Sequence, residues 1–127
     1  LGQAAYRFSC QLNENSAMFA GSTDLPEMNH NEIVAWTGKE PHNRALLLFS
    51  CDGLNPRTSA RIEWMIQEIE ATPTWKFQCE GESLLERLLY AAHVTDWISI
   101  GVAVLRGEDP SEMPAIESLK EHLASLQ

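Results

Sequence analysis

From Arg44 onward the chain alternates short apolar blocks with longer amphipathic ones, and each block can be assigned in turn. Residues 45–50, ALLLFS, are too few for a helix and are bounded by Cys51-Asp52-Gly53, which predicts a buried strand. Asn55-Pro56 then supplies an N-cap and a first-turn proline. Ile62, Met65, Ile66 and Ile69 follow at i, i+3, i+4 and i+7, so a core-facing helix is expected to run to about Thr72-Pro73. Residues 75–79 alternate as a second strand. Ser83 caps a second helix with Leu84, Leu85, Leu88, Leu89 and Ala92 on its apolar face, and residues 98–105, ISIGVAVL, read as a third, deeply buried strand. After a turn at residues 107–110, Ser111 caps a last helix whose inner stripe is Met113, Ile116, Leu119, Leu123 and Leu126.

The expected order from residue 44 is therefore β-α-β-α-β-α. Helix-length crossovers between strands imply an α/β fold, a small mostly parallel sheet with helices packed on it. Upstream, residues 21–43 are polar and rich in turn formers, with one short helix around 31–36. Residues 6–12 alternate well enough to add an N-terminal strand at the sheet edge. The chain begins on Leu1 and Met18 offers an alternative start, which would make residues 1–17 leader or vector-derived sequence; the alternation places them instead in one domain spanning 1–127.

A chain of 127 residues with 44% hydrophobic and 21% charged residues has the composition of one globular domain. Lys and Arg total 9 against 18 Asp and Glu, a formal charge of −9, and such a field disfavours nucleic acid. Three well-separated cysteines, Cys10, Cys51 and Cys79, argue against a disulfide framework and for a reducing, cytoplasmic setting. No uninterrupted apolar run approaches the roughly 20 residues of a membrane span. No cofactor fingerprint is present, and no metal is expected. His30 and His42 lack ligand spacing, and His93 with Asp96 has no third ligand beside it.

One stretch carries candidate chemistry. In CDGLNPRT, Cys51 ends the first strand, and Arg57 and Thr58 follow at the mouth of a helix. A strand, Cys-x5-Arg-Ser/Thr and a helix together resemble the phosphate loop of cysteine-dependent phosphatases, including the low-molecular-weight tyrosine phosphatases and their arsenate reductase relatives. The resemblance implies Cys51 as nucleophile, Arg57 as oxyanion clamp and Thr58 as a hydroxyl stabilising the thiolate. Asp109, before Pro110, would be the acid for the leaving group. The same residues also read more plainly as a strand end, a turn and a helix cap.

A second feature points outward. At 100° per residue, Trp64 falls opposite the Ile62/Met65/Ile66/Ile69 stripe, together with Arg57, Arg61 and Glu68, and a tryptophan among arginines suits a contact surface. The sequence therefore leads us to expect a small cytoplasmic protein, leaning away from an enzyme, with no assignable chemistry. It would act by protein binding or self-association, as a homodimer or with a protein partner through the Trp64 face, and not on nucleic acid or membrane. The alternative is the phosphatase-like or arsenate reductase-like enzyme.

Overall fold

The computed structural model describes residues 1–38, 43–70 and 72–126. In chain order they form α1 (Gly2–Ser16), a 3-10 turn (Glu27–Asn29), α2 (Ile33–Trp36), β1 (Leu46–Ser50), α3 (Pro56–Glu68), β2 (Thr74–Gln78), α4 (Leu84–Arg106) and α5 (Pro114–Ala124). The fold is α/β, with β1, α3 and β2 near where the pattern places them, although α3 ends at Glu68 and not near Thr72-Pro73. Asn55 Oδ1 accepts the Arg57 amide at 2.9 Å, and Pro56 takes a first-turn position whose amide has no helical partner.

β1 and β2 pair in parallel, with Leu46 opposite Thr74 and Ser50 opposite Gln78. The ladder extends one bond further, the Cys79 amide donating to the Ser50 carbonyl at 2.7 Å. Because side chains alternate along a strand, the sheet separates two apolar layers. Leu46 and Leu48 meet Ile62 and Met65 of α3, Ile69 just past its end and Met28 from the 3-10 turn. Phe49 and Cys51 face the other way, toward Ala4 of α1, Cys79 and Phe77 of the second strand segment, and Ala91 and Leu88 of α4. Phe8, Phe49, Phe77 and Tyr90 link α1, both strands and α4 through successive ring contacts, with centroids 6.4, 5.1 and 6.2 Å apart.

Two expected strands are helices. Residues 98–105 continue α4, and residues 6–12 lie inside α1. The Ser83 hydroxyl and the Glu86 carboxylate form a reciprocal cap at the start of α4, and the helix runs uninterrupted to Gly107, whose left-handed φ of 74° ends it. Ala91, Thr95, Ser99 and Ala103 recur every fourth residue and are fully buried. That stripe lets α1 approach closely. Arg7 pairs with Asp96 at 3.1 Å, Asn15 donates to Ser99 Oγ at 2.9 Å, and Arg106 Nε donates to the Ser16 carbonyl at 2.8 Å. Contacts rise in step along both helices, so α1 and α4 run in the same direction.

The outer side of α4 is also apolar. Leu85, Leu89, Trp97 and Val104 are exposed there, and α4 is long and apolar enough to cross a bilayer by length and composition alone. Its α1-facing stripe is nonetheless occupied by protein. α5 begins at Pro114, not after a Ser111 cap, since Ser111 is turned back onto Asp109. The expected inner stripe of α5 is not an inner one: Ile116, Leu119, Leu123 and Leu126 are all exposed.

Candidate functional site

Asn29, Ile33, Arg57, Ala60, Arg61 and Trp64 line an open cleft of about 470 Å³ between α3 and the segment from the 3-10 turn to α2. Arg57 sits on the first turn of α3, and Arg61 one turn later donates from Nη1 to the Arg57 carbonyl at 3.3 Å. Trp64, 47% exposed, completes that side. The two salt bridges among the described residues, Arg7 with Asp96 and Lys76 with Glu63, leave both cleft arginines without a carboxylate. In a chain of net charge −9, this pair makes a local positive field.

The opposite wall is polar. The 3-10 turn sets Asn29 against Met65, whose Sδ accepts from Asn29 Nδ2 at 3.3 Å, and the Asn29 Oδ1 is buried with no hydrogen-bond partner. A buried carbonyl oxygen in that state has unused capacity for one hydroxyl or amide donor. His30 comes next in the chain and is exposed, its amide donating to the Glu27 carbonyl at 2.9 Å. Two guanidinium groups, an indole face and the Asn29 side chain thus line one cleft, and exposed His30 follows Asn29 in the chain without being part of the lining. Such a set suits a small hydroxylated anion.

The carboxyl ends of the strands form a second locus. Arg87 Nε donates to the Gly81 carbonyl at 2.9 Å, and its Nη1 lies 3.9 Å from Cys51 Sγ. Gln78 donates to Asp52 Oδ1 at 3.0 Å. Burial, reinforced by the nearby Cys51 thiol, pushes the Cys79 thiol up to about 11.

The phosphatase-like constellation is not assembled. The guanidinium beside Cys51 belongs to Arg87, whereas Arg57 lines the cleft on α3. The Thr58 amide is already committed to the Asn55 carbonyl at 2.8 Å, and Pro56 has no amide to offer an anion. Asp109 lies past the far end of the 23-residue α4, about 34 Å from the end that carries Arg87. Its carboxyl is held below the usual range by bonds from the Ser111 hydroxyl and amide, so it serves a local turn.

Of the outward set, Arg57, Arg61 and Trp64 share the cleft, and Glu68 is exposed on the last turn of α3 outside the cleft lining. Asp96 is engaged by Arg7, and among the described residues no group of three metal-ligating side chains occurs. His42 lies outside the described residues. Sequence reading missed Asn29 and Ile33; their signal is the short run LPEMNHNEI, residues 25–33, whose apolar positions Leu25, Met28 and Ile33 anchor it on the α3 layer.

Residues 1–123 match the family model described as the bacterial phospho-glucose isomerase C-terminal SIS domain. The chain belongs to that family. Among relatives, a protein of Aquifex aeolicus named bifunctional phosphoglucose/phosphomannose isomerase is 37% identical over 123 residues, covering 94% of this chain and 38% of that protein. Proteins of the same name from Thermoplasma acidophilum and Thermoplasma volcanium are 32% and 33% identical, each again over 94% of this chain. The chain spans about 38% of the length of these curated relatives. No solved structure matches it.

Membership of this family overturns the functional expectation drawn from sequence. A SIS domain of the phospho-glucose isomerase type is neither a binding or self-association module without assignable chemistry nor a cysteine-dependent phosphatase or arsenate reductase. Cys-x5-Arg-Thr in this SIS domain is a strand end, a turn and a helix cap.

Proposed function

We propose that this SIS domain serves sugar-phosphate isomerisation, interconverting a phosphorylated aldose of the glucose or mannose type with the corresponding ketose. The observation that carries this reading is the family match over residues 1–123, joined by relatives named for both isomerisations. Such a reaction needs a grip on the phosphate, a hold on the sugar hydroxyls, and a base that moves a proton between two neighbouring carbons. The cleft supplies the first two. Arg57 and Arg61 take the phosphate oxygens, the Trp64 face stacks on the C–H face of the sugar, and the Asn29 side chain hydrogen-bonds a sugar hydroxyl. For the third we assign His30, the exposed residue that follows Asn29 in the chain, as the acid/base group. In an acidic chain the phosphate dianion is otherwise repelled, so the arginine pair decides whether substrate is retained.

The test is steady-state isomerisation of glucose 6-phosphate and mannose 6-phosphate by the whole protein. Replacing Arg57 and Arg61 together by Ala is expected to raise KM by about 10–100-fold, the range of a lost charge-assisted bond. His30→Ala is expected to lower kcat by about 10²–10⁴-fold with little change in KM. Unchanged kinetics in both variants would move the site away from this cleft. Absence of turnover by the unmodified protein on either sugar would reject the activity itself. We place this activity in the cytoplasm, because phosphorylated sugars do not cross bilayers unaided and all three cysteines are free thiols.

A further inference from the structure

The alternation that sends Phe49 and Phe77 to the α1/α4 side of the sheet sends Cys51 and Cys79 to the same side, and both belong to the same apolar cluster. Ser50 pairs with Gln78, and the ladder bond from the Cys79 amide to the Ser50 carbonyl carries the pairing to its end. Cys51 and Cys79 therefore occupy the next register positions of two neighbouring parallel strands. Strands lie about 4.8 Å apart, which falls within the Cα separation of about 4.4–6.8 Å that a disulfide spans.

We infer that Cys51 and Cys79 are a paired-thiol modification site, which a low-molecular-weight disulfide converts to an intramolecular disulfide joining the carboxyl ends of β1 and β2. The two cysteines differ in a way that fixes their order of reaction. Cys51 is half-exposed, open to a disulfide from solvent, and has the Arg87 guanidinium 3.9 Å from its sulfur. Cys79 is 1% exposed, and burial holds its thiol protonated.

Cys51 attacks first. Its thiolate takes one sulfur of glutathione disulfide, the S–S bond of that molecule breaks, and glutathione leaves as a thiolate. Cys79 then gives its proton to water and attacks Cys51 Sγ, forming the Cys51–Cys79 bond and releasing a second glutathione. Two protein thiols are oxidised, and one glutathione disulfide is reduced to two thiols. The second step is the slow one at neutral pH, because little Cys79 is ionised there; its rate should rise about tenfold per pH unit below the Cys79 pKa.

The site is independent of the isomerase reading and requires no residue of the cleft. It is tested on the full chain, with exposed Cys10 replaced by Ser to remove the third thiol. The protein is incubated with glutathione disulfide at pH 7 and pH 8, quenched, alkylated, digested and read by peptide mass. The expected result is a cross-linked pair of peptides carrying Cys51 and Cys79, lighter by two hydrogens, with a transient glutathione adduct on Cys51 that decays faster at pH 8. In Cys79→Ser, or in Cys79→Ala should the serine variant unfold, the Cys51 adduct should persist. A stable adduct on Cys51 in the parent protein, with Cys79 still alkylatable after unfolding, would overturn the inference. So would two thiols that both survive the incubation unmodified.

Discussion

The hydroxyl of Ser16, on the last turn of α1, donates to the backbone carbonyl of Ser99 in α4 at 3.0 Å, and both residues are wholly buried. The seam between the two helices is built from small side chains, with Ala91, Thr95, Ser99 and Ala103 lying against α1. Replacing Ser99 by Leu inserts volume where the helices are closest and removes the oxygen that accepts from Asn15. The expected loss is about 1–3 kcal/mol of unfolding free energy, read as a lower urea midpoint, whereas Ser99→Ala should cost less.

Stability should fall in acid partly through the start of α4. Glu86 accepts the amides of Ser83 and Glu82, each at 2.8 Å, and these bonds hold its carboxyl below the usual value of 4.5. A carboxyl depressed in the folded state contributes stability above its unfolded value and loses it as pH drops through the folded one. The loss should therefore begin below about pH 4.5 and should be weaker in Glu86→Gln. Urea midpoints of both proteins between pH 7 and pH 3 check this.

Gly81, at the carboxyl end of β2, has φ of 138°, and a Cβ there would lie 2.7 Å from the Glu86 Cβ and 2.9 Å from the Arg87 amide. Gly81→Ala is expected to cost about 1–3 kcal/mol. It should also loosen Arg87, whose Nε bonds the Gly81 carbonyl. Faster alkylation of Cys51 in the variant would report that loosening; an unchanged urea midpoint would show that the loop adapts without strain.

β1, α3 and β2 were legible because period, cap and turn agree in each: the Asn55 cap, the Pro56 start and the Ile62/Met65/Ile69 stripe all point to one answer. Residues 98–105 misled because β-branched residues crowd there, while the decisive features lie outside that window. Ser83 starts a helix, no proline interrupts it before Gly107, and the four-residue spacing of Ala91, Thr95, Ser99 and Ala103 marks a close helical partner. α1 carries a matching signal in Ala4, Phe8, Leu12 and Ser16. That single error also produced the false acid. With a strand at 98–105, Asp109 would share an edge of the sheet with Cys51; with a helix there, it lies at the opposite end.

The cleft was half legible. Helical periodicity alone groups Arg57, Arg61 and Trp64 on one side of α3. Asn29 and Ile33 arrive from a polar segment through long-range packing on Met65 and its neighbours, which no local pattern encodes.

The most direct test of the account is a titration of the ¹⁵N-labelled protein with glucose 6-phosphate, followed through the backbone amides and the indole signals of the chain's four tryptophans. The account predicts that the Trp64 indole and the amides of Asn29, His30, Arg57 and Arg61 shift together and saturate, and that the shifts vanish when Arg57 and Arg61 are both replaced by Ala. Saturating shifts confined to the strand ends around Cys51 and Gly81, or none at these residues at millimolar sugar phosphate, would contradict it.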